Sequence, residues 1–323
     1  MSDEPEHRES PTLQPMDMPD PSDAPAPGDQ SAAVEAGAHA SLSLLDAPAT
    51  YTLLFINLLW FAAMFHSGPY MRDWQQHKYL QILTDGFVPE ALKYFGGCDT
   101  YLVVGGGQWI RLVTAAFIHL NPLHLLVNMW CLWNLGLLGE PLLGKRGLFA
   151  VYILTGIAGN MCSIIFNLHQ GHNGLVVGAS GAVFGIAGIL IVLLSNRKLS
   201  LPWEELRALR RSVVQFAVLN LLIGMTPTII MALVPARVLG RSAEALIPLT
   251  HIDNMAHLGG LLCGLIMGMP LFPRMLVGRT GYRERQRVTF AGTAFALMLI
   301  AYGISKAAET PKRPAASVLT QPR

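Results

Sequence analysis

Seven long apolar blocks constrain this chain more than any other feature of its sequence. Each block is about as long as the ~20 residues that an α-helix needs to cross the hydrocarbon core of a bilayer. Charged residues make up only 14% of the 323 residues, against about 25% in a typical soluble protein. The short alternating segments of a closed β-barrel are not visible. The sequence therefore predicts an all-α polytopic membrane protein, with spans near 50–66, 112–138, 147–168, 175–195, 213–235, 254–272 and 288–305.

The distribution of lysine and arginine predicts how these helices are oriented. The connections 139–147, 196–212 and 274–287 hold twelve basic residues, whereas the connections on the other side hold six in a longer total length. Basic loops remain on the cytoplasmic side of a membrane. The pattern therefore places the N-terminus in the cytoplasm, and seven crossings leave the C-terminus outside.

The first 40 residues contain nine acids, seven prolines and a single basic residue, Arg8. Such a segment cannot bury enough apolar surface to fold. We expect 1–46 to be a disordered cytoplasmic tail, 47–273 to be a six-helix core, 274–305 to be a linker with a seventh helix, and 306–323 to be a second tail.

A few polar residues lie inside the apolar blocks, and these are the candidate functional residues. His119, His124 and Asn128 fall in the second block, where the four-residue spacing of His124 and Asn128 puts both on one helical face. Polar residues in a membrane span usually face the interior of the bundle and mark a functional site. They also hold helices together by hydrogen bonding, so each alone is open to a purely structural interpretation.

Ser180 and His257 are the pair most suggestive of chemistry. Ser180 lies in the sequence GASG at 178–181, and His257 begins the sequence HLGGLLCG. Both blocks have small residues at four-residue spacing, Gly181 and Gly185 in one and Gly260 and Gly264 in the other, a pattern that allows two helices to pack closely. Close packing would bring the Ser180 hydroxyl within hydrogen-bond reach of the His257 ring, which is the arrangement that activates a serine nucleophile.

The surroundings of Ser180 predict a site for negative charge. The N–H of Ser180 at a helix start, with His124 and Asn128 as further donors, could bind an oxyanion. The segment is not the G-x-S-x-G elbow of α/β-hydrolases, because Ala182 replaces the last glycine. Asp253 precedes His257 by four residues but lies at the edge of a loop, so the sequence favours a Ser–His dyad.

The chain resembles the rhomboid intramembrane serine proteases over residues 109–270. The similarity is carried by five segments in order, which are QWIRLVTAAFIH at 108–119, HLNPLHLLVN at 119–128, LGEPLLG at 138–144, GASG at 178–181 and AHLGGLLCG at 256–264. Ile110 departs from the family, which usually has tryptophan before the arginine at this point. The last block at 288–305 is similar to the seventh helix of bacterial members with six plus one helices.

The resemblance implies a role for each of these residues. Ser180 is expected to be the nucleophile and His257 the general base, with His124, Asn128 and the Ser180 N–H forming the oxyanion hole. Supporting roles are implied for His119, Arg111, Glu140, Gly178, Gly181, Gly260 and Gly264. The expected substrates are transmembrane helices of other proteins in the lipid bilayer, in a bacterial inner or cell membrane, with the active site open to the outer side.

No cofactor, metal or nucleic-acid partner is expected, since the four cysteines are scattered and no metal-ligand or nucleotide-binding pattern occurs. The sequence indicates no oligomeric state. Two other functions stay open at this stage. One is a catalytically inactive relative that binds or escorts membrane proteins, and the other is a transporter or haem protein that uses the intramembrane histidines.

Overall fold

A computed structural model describes residues 47–66, 86–197, 199, 202–233, 253–272 and 278–309. The predicted tail at 1–46, most of the predicted tail at 306–323 and most of the loop at 236–253 lie outside these ranges. The domain boundaries stay predictions. In chain order the elements are α1 (Pro48–His66), α2 (Pro89–Tyr94), β1 (Cys98–Asp99), α3 (Thr100–Val104), α4 (Arg111–Thr114), a 3-10 turn (Ala115–Phe117), α5 (Pro122–Gln170), β2 (Leu175–Val176), α6 (Ser180–Leu193), α7 (Trp203–Leu233), α8 (Asn254–Leu271) and α9 (Arg279–Glu309).

The prediction of an all-α membrane protein is confirmed by these helices. Five of them, α1, α5, α7, α8 and α9, are long and apolar enough to cross a membrane, and α6 is a shorter apolar helix. In the part of the chain that the structure describes, the two strands form one antiparallel pair of two residues each. That α9 crosses the membrane as a seventh span stays a prediction.

The 49-residue helix α5 contains two of the predicted spans. If straight it would be about 74 Å long, more than twice the ~30 Å of a hydrocarbon core. Gly144 interrupts it with a φ of 73° and a ψ of 161°. The chain reverses at Gly144. The evidence is that the Leu148 side chain lies beside Gly139, where an added methyl group would be 3.5 Å from the Leu148 side chain. The two halves therefore correspond to the spans predicted at 112–138 and 147–168.

The predicted starts of the second and fourth spans were wrong. Residues 111–117 form α4 and the 3-10 turn, and α5 begins only at Pro122, with the Asn121 side chain accepting a hydrogen bond from the His124 N–H at 2.7 Å. Asparagine before proline is a favourable helix start. The fourth span was predicted to begin at residue 175, but α6 begins at Ser180 and has 14 residues.

Helices α6 and α8 pack side by side and run parallel. Gly260 of α8 faces the backbone carbonyl of Gly181, and Gly264 faces the carbonyl of Gly185 one turn further along both helices. A methyl group at either position of α8 would collide with the carbonyl oxygen opposite. Because residue numbers rise together on both helices, their N-termini lie at the same end of the bundle.

This packing predicts that Gly260→Ala separates α6 from α8. The added methyl group meets a rigid backbone oxygen, and overpacking of this kind costs about 1–3 kcal/mol of the free energy of unfolding. Thermal unfolding in detergent measures the change. Gly292→Ala on α9 is the matched control, since a methyl group there meets no atom within 4 Å. Equal unfolding temperatures for Gly260→Ala and wild type would contradict the close packing.

A buried carboxylate joins α1 to α5. The Glu140 side chain accepts hydrogen bonds from the N–H groups of Ala49 and Thr50, both at 2.8 Å, and from the Thr50 hydroxyl at 2.7 Å. The first N–H groups of a helix have no partner within that helix and carry partial positive charge. Glu140 thus caps α1 from a position 90 residues away in the chain.

The strand pair fixes the segment that leads to Ser180. Cys98 lies opposite Val176 and Asp99 opposite Leu175. The loop that precedes α4 is in this way hydrogen-bonded to the chain two residues before Gly178. An ordered loop outside the predicted spans therefore sets the position of the GASG turn.

Asp99 is the main polar connection within this loop. Its carboxylate accepts from Lys93 Nζ at 3.0 Å, from Asn173 Nδ2 at 2.8 Å and from the N–H groups of Tyr101 and Leu102 at 3.1 Å. Burial raises the pKa of Asp99. The hydrogen bonds from Lys93, Leu102 and Asn173 and the charge of Lys93 outweigh burial, so the pKa of Asp99 lies below its ordinary value.

The sign of this shift predicts an acid sensitivity. A carboxyl whose pKa is lower in the folded protein stabilises the fold above its unfolded pKa of about 4, and this contribution is lost as the pH falls through the folded pKa. Asp99→Asn is expected to be less stable than wild type at neutral pH and to lose less on acidification. Unfolding temperatures from about pH 7 to pH 3 measure this, with the exposed Glu90→Gln as control. Parallel pH profiles for Asp99→Asn and wild type would contradict the role of Asp99.

Candidate active site

Three helix N-termini meet at one end of the bundle, and each brings a predicted site residue. Ser180 is the first residue of α6, His257 lies in the first turn of α8, and His124 lies in the first turn of α5. A helix N-terminus presents unpaired N–H groups and a partial positive charge of about half an elementary unit. The arrangement therefore suits a group that develops negative charge beside Ser180.

The turn before Ser180 requires a glycine and is held by two hydrogen bonds. Gly178 has a φ of 126°, a conformation that side chains disfavour. Its N–H donates to the Ala115 carbonyl at 2.9 Å, and the next N–H, that of Ala179, points to Nε2 of His119 at 3.5 Å. A methyl group on Gly178 would lie 3.0 Å from His124 Nε2 and 3.7 Å from Ser180 Oγ. These two polar atoms thus border the same small space.

The proton of His124 is placed by its hydrogen bond. Nδ1 accepts from the Leu120 N–H at 3.3 Å. In a neutral imidazole an accepting Nδ1 leaves the proton on Nε2, an assignment that follows from the hydrogen bond. Cε1 and Nε2 are the His124 atoms nearest a methyl group placed on Gly178, at 2.9 and 3.0 Å. His124 therefore presents an N–H donor to the space beside Ser180 Oγ.

Asn128 is not aimed at Ser180. Its amide Nδ2 donates to the His124 carbonyl of its own helix at 2.9 Å. The side chain is 5% exposed, so it lies inside the bundle as a candidate donor should. It would have to rotate away from this bond to reach an oxyanion. The sequence predicted that Asn128 and His124 share one helical face. The contact between them in the structure is the hydrogen bond from the Asn128 amide to the His124 carbonyl.

His257 lies against the Ser180 side of α6. Its ring stacks on Phe184 with centroids 4.4 Å apart and an interplanar angle of 13°. Phe184 is one turn after Ser180, so the two share a face of α6. Within the described ranges, no hydrogen bond joins the side chains of Ser180 and His257, and His257 Nδ1 has no partner.

Asp253 does not act as a third member of a triad in this structure. One of its oxygens accepts from the Ala256 N–H at 2.9 Å and so caps α8, and the other accepts from the hydroxyl of Ser163. His257 Nδ1 contacts neither oxygen by a hydrogen bond. The Asp253 carboxylate therefore fixes the start of the helix that carries His257. From the sequence, Asp253 was expected only to lie at the edge of a loop.

The predicted supporting residues have distinct places. His119 is fully buried before α5 rather than on it, and its ring meets the His124 ring edge to face, with centroids 5.3 Å apart. Arg111 donates from Nη1 to the carbonyls of Lys93 and Gly97 at 2.5 and 2.9 Å, so it holds the loop before α4. Glu140 acts far from the site, at the start of α1.

A buried polar network behind the site was not found from the sequence. The Tyr152 hydroxyl donates to the Ala116 carbonyl at 2.7 Å and receives a hydrogen bond from Asn57 Nδ2 at 3.1 Å. The Tyr152 hydroxyl therefore fixes the chain next to Ala115, and the Ala115 carbonyl accepts the hydrogen bond from the Gly178 N–H. Asn57 and Tyr152 are polar residues in apolar spans, which is the signal that could have identified them.

Over the described residues, no group of three or more His, Cys, Asp or Glu could hold a metal ion.

Comparison with known proteins gives a consistent result. The Rhomboid domain model matches residues 106–274. The chain is 30% identical over 186 residues to "Rhomboid protease GluP" of Bacillus subtilis, covering 56% of this chain and 30% of that protein. It is 28% identical over 198 residues to "RHOMBOID-like protein 1" of Arabidopsis thaliana (61% and 43% covered), and 28% identical over 201 residues to "Rhomboid-like protease 2" of Toxoplasma gondii (62% and 60% covered).

In these three comparisons the matched part is less than two thirds of the relative's own length. The family model, however, covers just over half of the present chain and includes α4 to α8, all the elements around Ser180. The apolar helices make the protein an integral membrane protein. The chain belongs to the rhomboid family.

Proposed function

We propose that this protein is an intramembrane serine endopeptidase that uses Ser180 as nucleophile and His257 as general base. The observation that carries the proposal is the meeting of three helix N-termini around Ser180, with His124 Nε2 and Ser180 Oγ bordering the space beside Gly178. The printed names of two relatives, which call them proteases, support it.

The chemistry requires His257 to transfer two protons, one in each half of the reaction. His257 takes the proton of Ser180 as Oγ attacks the scissile carbonyl carbon, and the carbonyl oxygen becomes an oxyanion. The His124 Nε2–H and the Ser180 N–H then stabilise that charge. His257 gives that proton to the leaving nitrogen as the carbon–nitrogen bond breaks. It then takes a proton from a water molecule that attacks the acyl carbon, and it passes this second proton to Ser180 Oγ as the bond between the acyl carbon and Oγ breaks. The missing Ser180–His257 hydrogen bond fits a resting enzyme, because such bonds are often long before substrate binds.

The position of Ser180 in the bundle supports a transmembrane helix as the substrate. Ser180 lies at the end of a short apolar helix, so a substrate cleaved there would be a membrane-spanning helix opened near one end. An intact helix shields its peptide bonds, and small or helix-breaking residues would expose them. With the basic connections in the cytoplasm, the site would open to the outer side of a cell membrane.

A specific observation also favours a second function. The unpaired His257 Nδ1, and the lack of a Ser180–His257 bond in the described part of the chain, suit an inactive relative that binds transmembrane helices without cleaving them. Such a protein would hold a transmembrane helix against the bundle but would not turn over substrate.

Reconstitution with a reporter transmembrane helix separates the two functions. The full chain in liposomes is expected to cut the reporter at a single bond near its end, with the site identified by mass spectrometry of both products. Ser180→Ala serves as the control for contaminating proteases. A reporter that co-purifies with wild-type protein yet stays intact across a panel of helices would support the binding function instead.

A further inference from the structure

A basic cavity lies on the outer face of α7, away from the candidate active site. It has a volume of 430 Å³ and is lined by side chains of a single helix segment, Trp203, Arg207, Arg210, Arg211, Val214 and Gln215. The core-facing side of the same segment is different, because it carries the buried Leu206 and Val213. The cavity therefore lies on the side of α7 that faces away from the helix bundle.

The three arginines of this cavity differ in their contacts, and Arg211 is exposed. Arg207 approaches the Glu204 carboxylate at 3.8 Å, and its guanidinium lies 5.6 Å from the Trp203 ring centroid. Arg210 donates to the Ser195 hydroxyl at 3.0 Å. Over the residues that the structure describes, no acid pairs with Arg210 or Arg211. A guanidinium group has five N–H donors, so Arg210 with one hydrogen bond to Ser195 and Arg211 without an acid partner keep donors that match the geometry of a phosphate.

The cavity continues into an apolar track. Val214, Val218 and Leu222 follow at four-residue spacing on the same face and are 36%, 50% and 54% exposed. The distance from Arg211 to Leu222 along the helix is about 16 Å, close to the ~15 Å thickness of one leaflet of hydrocarbon. A cationic head site above an apolar track of leaflet length fits an amphipathic ligand with an anionic head.

This cavity is at the opposite end of the bundle from Ser180. Ser195, the partner of Arg210, lies just beyond the last residue of α6, whereas Ser180 is the first. The 14 residues of α6 separate the two sites by about 21 Å. Occupation of the cavity can therefore be measured without reference to proteolysis.

We propose that Arg207, Arg210 and Arg211 bind the phosphate of an anionic phospholipid, with one acyl chain along Val214, Val218 and Leu222. Trp203 closes the head site at the membrane interface, where tryptophan is favoured. The arginines select a lipid with net negative charge over a zwitterionic one, since a choline group would bring a second positive charge to them. Clusters of basic residues next to a membrane span bind anionic lipids in this way.

Native mass spectrometry of the full chain in a neutral detergent tests the site. Affinity is measured for phosphatidylglycerol and for phosphatidylcholine with the same acyl chains. Wild-type protein is expected to prefer phosphatidylglycerol, Arg211→Gln to weaken that binding about fivefold, and the triple change Arg207→Gln, Arg210→Gln and Arg211→Gln to weaken it about 100-fold. The single variant keeps the test valid should the triple variant unfold, because Arg211 is exposed.

The matched control is the double change Arg283→Gln and Arg287→Gln, which removes two exposed arginines at the same end of the bundle. It is expected to leave the affinity unchanged. Equal affinity for the two lipids, or an equal loss in the control, would overturn the proposal. Displacement of the lipid by excess glycerol 3-phosphate would assign the cavity to a soluble phosphate instead. A dimer in lipid-free detergent that the triple variant abolishes would assign the face to a second copy.

Discussion

Ser180→Ala and His257→Ala are each expected to abolish cleavage of a transmembrane reporter, lowering kcat by about 10⁴-fold or more. A serine and a histidine that act as one unit lose nearly all of their effect when either is removed, as measurements on serine proteases show. In the proposed mechanism Ser180 supplies the oxygen that forms the acyl-enzyme, and the His257 ring stacks on Phe184, which shares a face of α6 with Ser180. Cleavage rates in liposomes, taken at saturating reporter, measure both variants and their double mutant.

The double variant distinguishes a shared role from two separate roles. Because the two groups act in the same step, its rate should equal that of either single variant. Ser212→Ala and His169→Ala, which change exposed residues outside the site, should keep the wild-type rate. Additive losses, or a His257→Ala variant that still cleaves at a tenth of the wild-type rate, would remove His257 from the role of general base.

His124→Ala should lower kcat by about 10²–10³-fold and leave KM nearly unchanged. The Nε2–H of His124 faces the space beside Ser180 Oγ, and loss of one oxyanion donor typically has this effect because the interaction forms only in the transition state. Steady-state kinetics with the reporter separate kcat from KM. A His124→Ala variant with raised KM and wild-type kcat would instead make His124 a substrate-binding residue.

Asn128→Ala refines this prediction. Its amide is bonded to the His124 carbonyl. If the amide rotates to the oxyanion during the reaction, its loss should cost as much as that of His124. If it stays on its own helix, the loss in kcat should be small, and Asn128→Asp, which cannot donate, should then behave like Asn128→Ala.

The positions of most helices could be predicted from the sequence because the apolar blocks are long and separated by polar connections. The two wrong starts share a cause. Residues 175–179 are apolar enough to extend a helix, but the positive φ of Gly178 and the pairing of β2 with β1 keep the helix from starting before Ser180. Residues 112–121 are equally apolar, yet Asn121 and Pro122 start a new helix. The apolar content of a segment indicates that it is buried in the bundle or the membrane, but it does not indicate where within that segment a helix begins.

Ser180, His124 and His257 could be chosen from the sequence because a polar group in an apolar span is costly and therefore conspicuous. The long-range hydrogen bonds that hold the helices could not be derived in the same way, and a role for Glu140 was expected only from the family resemblance. Glu140 caps a helix that is 90 residues distant, and Ser163 binds Asp253 across the same separation. Such pairs depend on how the helices pack, and no local pattern encodes them.

Reaction of the purified protein with a fluorophosphonate tests the central claim most directly. The reagent phosphonylates a serine oxygen with loss of fluoride, and it reacts readily only with an activated hydroxyl. Wild-type protein is expected to gain one phosphonyl group, located by peptide mapping at Ser180, and His257→Ala of equal unfolding temperature is expected to gain none. A folded wild-type protein that stays unlabelled, or one labelled at another serine, would contradict the assignment of Ser180 as an activated nucleophile.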